Sequence, residues 1–425
     1  MPQSLVEQQI RKDLRYNVSV NMADAMFFGA ALGFGSFGTI IPLFVSELTT
    51  SATLIGLVPA IHAVGWQLPQ LFTANKVSRL RKYKPFVLAM SVHERIPFIG
   101  FALVAWFMYE LGTQTALILT FLLLIWQGFG GGFTANAWQS FIAKIIPGEL
   151  RGTFFGGQAA VANIFISICA IGAGFLLEKY QFPVNFSLTF LIAFLFLAIS
   201  WGALALSREP VDTEKVIPEK QPPIWEGAGE ILKRDKNFSW FLTARLMSMF
   251  ATVGFTFYII YCLRYFDMDA VTAGFLTATL TISQTIANAG MGWLGDRWGH
   301  RTMLILGLVA VSLSSGLAWM APSLNWFYLV FILAGVANVA IWTIGMAMTV
   351  EFGTEIERPV YIGLSNTLVA PVTILAPILG GWIADTMGFK TTFAISVFAG
   401  LLTAFVLWWF VKEPRPRKSQ LVTAG

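Results

Sequence analysis

Four ionisable side chains, Asp24, Glu94, Arg95 and Arg245, lie inside stretches of sequence that are otherwise apolar. A charge in such surroundings is costly unless paired or put to use, so each is a candidate for handling an ion or a substrate. Adjacent residues on a helix point about 100° apart, which predicts different partners for Glu94 and Arg95. Asp24 then pairs with Arg95, and Glu94 is left as a protonatable group suited to proton coupling. A structural alternative stays open, with Asp24 and Arg245 at a headgroup boundary and Arg95 snorkelling or clamping the first helix. Residues for bond-breaking chemistry do not converge. His62, His93 and His300 are scattered, and the chain has no H-E-x-x-H, no G-x-S-x-G, no metal-like Cys/His spacing and no phosphate-cradling loop with its lysine. Cys169 and Cys262 fall in different apolar stretches, so no disulfide framework is implied. The chain is therefore expected to need no metal and no cofactor and not to be an enzyme. A polytopic membrane enzyme is kept as an alternative.

The elements that must position these groups are set by the apolar stretches themselves. Hydrophobic residues make up 56% of the 425 and charged residues only 12%, with a mean hydropathy of +0.68, where a soluble chain carries about 25% charged residues. A bilayer core asks for about 20 mostly apolar residues per helix. Twelve such stretches are predicted, at residues 18–46, 53–74, 85–109, 114–142, 152–177, 185–207, 238–263, 270–293, 302–320, 325–350, 361–384 and 390–411. The first is long enough to span and lacks a small-residue cleavage pattern, so no cleavable signal peptide is expected.

Lys and Arg fix the expected orientation, because cytoplasmic loops retain positive charge. With the N-terminus inside, 23 of the 28 Lys and Arg fall on one side, Lys179, Arg264 and Lys390 on the other, and Arg95 and Arg245 within helices. This predicts a multi-pass protein of the cytoplasmic membrane with both termini cytoplasmic. It also accounts for the formal charge of +5 without nucleic acid.

A long polar interruption containing Pro218, Pro222 and Pro223 separates six stretches from six. The expected organisation is a bundle over residues 1–207, a linker over 208–237 and a second bundle with a short tail over 238–425. Within the linker, IWEGAGEILKRD reads either as a short amphipathic surface helix or as a flexible tether. A shift of 207 residues superimposes Gly128 on Gly335, Arg151 on Arg358, Gly174 on Gly381, Glu178 on Asp385 and Phe186 on Phe393, the mark of an internal repeat.

Between two of the stretches stands GWLGDRWGHR, with Gly292, Gly295 and Gly299 for close backbone approach, Asp296 for a helix N-terminus or a guanidinium, and Arg297 and Arg301 for a leaflet surface. This segment resembles the loop signature of the major facilitator superfamily, G-x-L-A-D-R-x-G-R-R. Further support comes from the P-x-x-x-R-G stretch at Pro147 to Gly152 and the end of the eleventh stretch. The resemblance implies an all-α membrane protein of twelve transmembrane helices in two pseudo-symmetric six-helix bundles, working by alternating access.

The same resemblance places the first, fourth, seventh and tenth helices around a central cavity, and the third at the periphery. Candidate cavity residues are Trp126, Gln127, Asn338 and Trp342 with Phe34, Phe37, Phe255 and Tyr258, a largely uncharged aromatic chamber. Packing and helix-to-helix hydrogen bonding are the plainer alternative for each. The sister loop of the signature, aligned by Gly56 on Gly274, sets Ser78 on Asp296, Arg79 on Arg297 and Arg81 on Gly299. A cytoplasmic gate is expected between Lys76, Arg79 and Arg81 and the acids Glu351, Glu355 and Glu357, and between Asp296 and Arg151, with Arg358 as the repeat mate of Arg151. Solvated loops obeying the charge bias are the alternative reading. P-x-x-G-G at Pro377, Gly380 and Gly381 lies on the eleventh helix, whereas the family's exporters carry it on the fifth, where Ala170 replaces the proline. The expected function is secondary active transport of a small neutral or cationic organic solute, with export preferred and protons as a candidate coupling ion. The expected partners are this solute and the lipid bilayer, and the expected state is a monomer. A non-transporting receptor or sensor on the same fold is the second alternative.

Overall fold

The computed structural model describes residues 5–147, 150–210, 228–353 and 358–414, and the regular structure among them is helical throughout. Each of the twelve expected stretches is mostly helix. Among the described residues, eleven segments are long and apolar enough to cross a membrane. The first stretch is the exception, because it is divided between α1 (Leu5–Phe34) and α2 (Ile40–Leu48). The division falls at Gly35, where a Cβ would collide with the Phe98 ring. Large apolar side chains such as Phe398, Ile286 and Trp408 are more than half exposed, the outward surface of a protein solvated by lipid.

The chain forms two compact units. The N-terminal unit comprises Met1–Thr50, Val58–Gln221 and Asp269–Ala278; the C-terminal unit comprises Ser51–Leu57, Pro222–Met268 and Thr279–Gly425. In the first, α1 packs against α7 (Arg151–Lys179) and α8 (Val184–Leu206), and α4 (Lys84–Trp106) packs against α6 (Thr113–Ile145) and α8. The helix α3 (Ala52–Ser78) leads into α4, and the single turn α5 (Met108–Leu111) precedes α6.

The C-terminal unit repeats this pattern. The helix α9 (Ala228–Arg234) lies within the expected linker helix, and Asp235 then caps α10 (Lys236–Ala251) by accepting from Phe238 N at 2.9 Å. The next span is completed by α11 (Val253–Tyr265) and followed by α12 (Ala270–Trp298) and α13 (His300–Met320). The tenth span is α14 (Trp326–Val339), a π-helical turn Ala340–Ile344 and α15 (Gly345–Val350); α16 (Arg358–Met387) and α17 (Phe389–Phe410) close the unit. Here α10 packs against α16 and α17, and α13 against α14 and α17, the same relations that α1 and α4 have in the other unit.

Two side-chain clasps occur once in each unit. Asn17 donates to Arg208 O and accepts from Arg208 N, at 2.9 and 2.8 Å, tying the middle of α1 to the chain just past α8. Asn237 does the same to Lys412 at 3.0 and 2.7 Å, tying α10 to the end of α17. Glu209 accepts from Tyr83 N and Lys84 N at 2.8 and 2.9 Å, while Glu413 accepts from His300 N and Arg301 N at 3.1 and 3.0 Å. In both units a carboxylate thus satisfies orphan donors at a helix start. These pairs match Lys82 to Gly299, correcting the sequence alignment of Arg81 to that glycine by one residue. Gly299 needs to be glycine twice over: its φ is +91°, and a Cβ would overlap Glu413.

Within the C-terminal unit, Asp385 of α16 accepts from Ala52 N at 2.7 Å and from Thr53 N at 3.1 Å, capping α3. A Cβ at Gly381 would overlap Thr53, so the second glycine of P-x-x-G-G admits this approach. The helix α16 is continuous through Pro371 and Pro377. Both cysteines are free.

Candidate functional site

A cavity of about 370 Å³ lies inside the N-terminal unit, between α1, α3, α4, α6, α7 and α8. Its wall brings together Asp24, Glu94 and Arg95 with Phe28, Trp66, Trp138, Phe155 and Gln158. Three of the four intramembrane charges singled out by sequence therefore share one chamber. The fourth, Arg245, is buried in the C-terminal unit.

The three charges are arranged around Arg95. Its Nε donates to Leu197 O at 3.3 Å, Nη1 to Ser91 O at 3.0 Å and Nη2 to Ser200 Oγ at 3.2 Å. Ser200 Oγ in turn donates to Asp24 Oδ1 at 2.6 Å, while the direct Arg95 to Asp24 separation is 4.0 Å. The expected Asp24 and Arg95 pairing is present, but it runs through a serine. Glu94, expected to be left over from that pairing, is not isolated: Nη1 lies 3.7 Å from Glu94 Oε2. The 100° between neighbouring Cβ directions is overcome by the length of the arginine stem. Glu94 itself accepts no hydrogen bond among the described residues. With two carboxylates and one guanidinium, the cluster carries a formal excess of one negative charge when all are ionised.

Backbone proximity places Glu94. A Cβ at Gly130 would overlap the backbone of His93 and Glu94, and one at Gly132 would overlap Gly65 O. At Gly131 it would come within 3.0 Å of Glu94 Oε1 and 3.3 Å of the Trp66 ring. The glycine run Gly130–Gly132 lets α6 approach α3 and α4 closely and leaves room for the carboxylate. Helix α4 is therefore a wall of this cavity within the N-terminal unit. Sequence reasoning did not single out Trp66, Trp138, Phe155, Gln158 or Ser200. The readable signals were the GFGGG run and a lone glutamine in an apolar stretch.

The residues expected to line a central chamber lie outside the wall of this cavity. Gln127 is buried and its Oε1 accepts from His62 Nδ1 at 2.9 Å; the His62 ring stacks on Phe37 at 3.7 Å. Trp126 is partly exposed and donates from Nε1 to His93 Nδ1 at 3.3 Å. Phe34 packs against Phe196. In the C-terminal unit, Tyr258 is fully buried and shares hydrogen bonds with Ser314 and Ser315 at 3.0 and 2.9 Å, and Phe255 packs beside it. Asn338 and Trp342 are half-buried on the tenth span, Trp342 within the π turn. Arg245 Nη1 donates to Ile341 O in that turn at 2.8 Å, and its buried Nε has no partner among the described residues.

Of the expected gate, Arg151 donates to Ile146 O and Ala143 O, closing the end of α6. Lys76 lies 5.3 Å over the Phe86 ring, Arg79 and Arg81 are exposed, and Arg81 O accepts from Lys144 Nζ at 2.8 Å. Arg297 stacks on Trp293 at 3.8 Å, and Arg301 donates to Leu407 O and Trp408 O. His300 Nδ1 lies 2.9 Å from Glu351 Oε1. Gly295 abuts the His300 ring, and Gly292 faces open space. Glu355 and Glu357, and the side chains of Asp296 and Arg358, lie outside the described residues.

Comparison with known proteins gives a consistent result. A family model for the Major Facilitator Superfamily matches residues 25–261 and again 259–425. Multidrug resistance protein 2 of Bacillus subtilis (strain 168) is 30% identical over 148 residues, covering 34% of this chain and 37% of that protein. The multi-drug resistance efflux pump PmrA of Streptococcus pneumoniae serotype 4 is 25% identical over 144 residues, or 34% and 36% of the two chains. The chain thus spans little more than a third of the length of these curated relatives. Among solved structures, a variant of the nucleoside transporter NupG superimposes with a TM-score of 0.71 at 14% identity over 93% of this chain and all of the other. A bacterial homologue of the iron transporter ferroportin, in an inward-facing state, gives 0.68 at 13% over 96% and 99%. At such identities these structures speak for the fold alone. With residues 25–425 covered by two copies of the family model and its two units built on one plan, the chain belongs to the Major Facilitator Superfamily of membrane transporters.

Proposed function

We propose that this transporter is a secondary active exporter of small organic molecules, cationic or neutral, in which the N-terminal cavity binds the solute and Glu94 exchanges it for a proton. The observation that carries this reading is the Glu94 carboxylate, set in an aromatic cavity wall with Arg95 at 3.7 Å and no hydrogen-bond donor among the described residues. A carboxylate so placed gains from a proton or from an organic cation, and the two exclude each other. Trp66, Phe28, Trp138 and Phe155 offer ring faces that attract a cation and tolerate varied apolar shapes. A polyanion would meet the excess negative charge of the cluster and is disfavoured. The names of the relatives, multidrug resistance proteins and an efflux pump, agree with this direction and breadth.

The charge bias of the loops supports a cytoplasmic location for both termini and insertion in a cytoplasmic membrane. The repeat supports alternating access by two bundles spanning residues 1–207 and 238–425. Thermal-shift titration tests the site, because a ligand that binds the folded state raises its stability by mass action. A lipophilic cation is expected to stabilise the wild type, more so as pH rises and protons leave the site, and to lose that effect in Glu94→Gln. Equal stabilisation by a lipophilic anion, or no change in Glu94→Gln, would remove the reading.

A further inference from the structure

We propose that a groove at the basic end of the N-terminal unit, between the start of α4 and the end of α8, is a docking site for the headgroup of an anionic phospholipid. The groove measures about 640 Å³ and holds Lys82, Lys84 and Arg208 together with Asp13 and Glu209. Both acids are already engaged. Glu209 accepts from Tyr83 N, Lys84 N and Lys144 Nζ, the last at 2.9 Å, and Asp13 accepts from Gln9 Nε2 and, at 2.9 Å, from Arg208 Nη1.

The cations keep unused donors. Lys82 is exposed and makes no hydrogen bond or ion pair among the described residues. Lys84 Nζ donates once, to Ser207 O at 2.7 Å, which leaves two N–H bonds. The Arg208 guanidinium lies 4.2 Å over the Tyr16 ring with its side chain 59% exposed. Neighbouring cations of this kind are relieved by a shared anion.

The rim selects a lipid over a free anion. Leu88 and Leu206, the latter 61% exposed, border the groove where α4 begins and α8 ends, the level at which hydrocarbon gives way to headgroups. A phosphodiester held by Lys82 and Arg208 lays its acyl chains along this rim, a contact that inorganic phosphate cannot make. Among the described residues the C-terminal unit lacks the arrangement. Gly299 stands in place of Lys82 with Glu413 filling the space beside it, and Arg301, in place of Lys84, gives its guanidinium to Leu407 O and Trp408 O.

The test is lipid binding to the purified full-length chain in detergent, by native mass spectrometry and thermal shift, with phosphatidylglycerol, phosphatidylcholine and inorganic phosphate as probes. Lys82→Gln, which breaks no hydrogen bond or ion pair among the described residues, is expected to weaken phosphatidylglycerol about fivefold, and Lys82→Gln with Arg208→Gln about 25-fold. Removing two exposed cations of the other unit, Lys233→Gln with Lys236→Gln, is expected to change nothing. The proposal is overturned if the control pair weakens binding as much as the groove pair, if both lipids bind alike, or if inorganic phosphate protects as well as phosphatidylglycerol does.

Discussion

At the scale of single residues, Arg95 and Arg245 show that a buried arginine has no fixed worth. Arg95 is the sole guanidinium of the N-terminal cluster and stands between Asp24 and Glu94. Replacing it leaves two buried carboxylates without a cation, and Arg95→Met is expected to cost about 3–5 kcal/mol in chemical denaturation of the solubilised protein. Arg245 is buried with one backbone acceptor and, among the described residues, no partner for its Nε. Exchanging an unpaired buried charge for an apolar side chain of similar length relieves desolvation, so Arg245→Met is expected to be at least as stable as the wild type. A loss as large as that of Arg95→Met would show that Arg245 has a counter-charge. The sequence reveals these residues because charges in apolar stretches stand out. Their partners were not legible, since Ser200 is an ordinary small polar residue until folding sets it between Asp24 and Arg95.

The helices themselves are the next scale, and here the clasps make a graded prediction. Asn17 is buried while Asn237 is half-exposed, although each makes the same pair of bonds. A stranded backbone group costs about 1–3 kcal/mol when water cannot replace the partner. Asn17→Ala is therefore expected to lower the unfolding midpoint more than Asn237→Ala, and equal losses would contradict the burial argument. Gly130→Val is expected to destabilise strongly, because the added atoms meet the backbone of α4 rather than a movable side chain. Outside the membrane, burial holds the Glu413 carboxyl above its usual range. A carboxyl raised in this way favours the folded state at low pH and loses that contribution as pH rises through its folded value. Glu413→Gln should flatten this decline in melting temperature, set against the lost charge of its bonds to α13. Helix positions were readable because apolar length is a strong signal. The break at Gly35 and the π turn at Ala340–Ile344 were not, because each depends on a neighbour distant in sequence, Phe98 in one case and Arg245 in the other.

Across the whole molecule, duplication governs what could be foreseen. The 207-residue register, the loop signature and the excess of Lys and Arg on one side are properties of the chain as text, and they point to the family and its two six-helix halves. The cavity is different. It depends on how closely α6 meets α3 and α4, and the family resemblance places the aromatic chamber on other helices. The proposed exchange rests on Glu94, where a proton and an organic cation would compete. Flux of a fluorescent lipophilic cation in proteoliposomes under an imposed pH gradient tests this most directly. The prediction is transport that collapses when the gradient is dissipated and that loses its gradient dependence in Glu94→Gln, with the variant still folded. Transport indifferent to the gradient, or a Glu94→Gln variant driven by it as well as the wild type, would contradict the account.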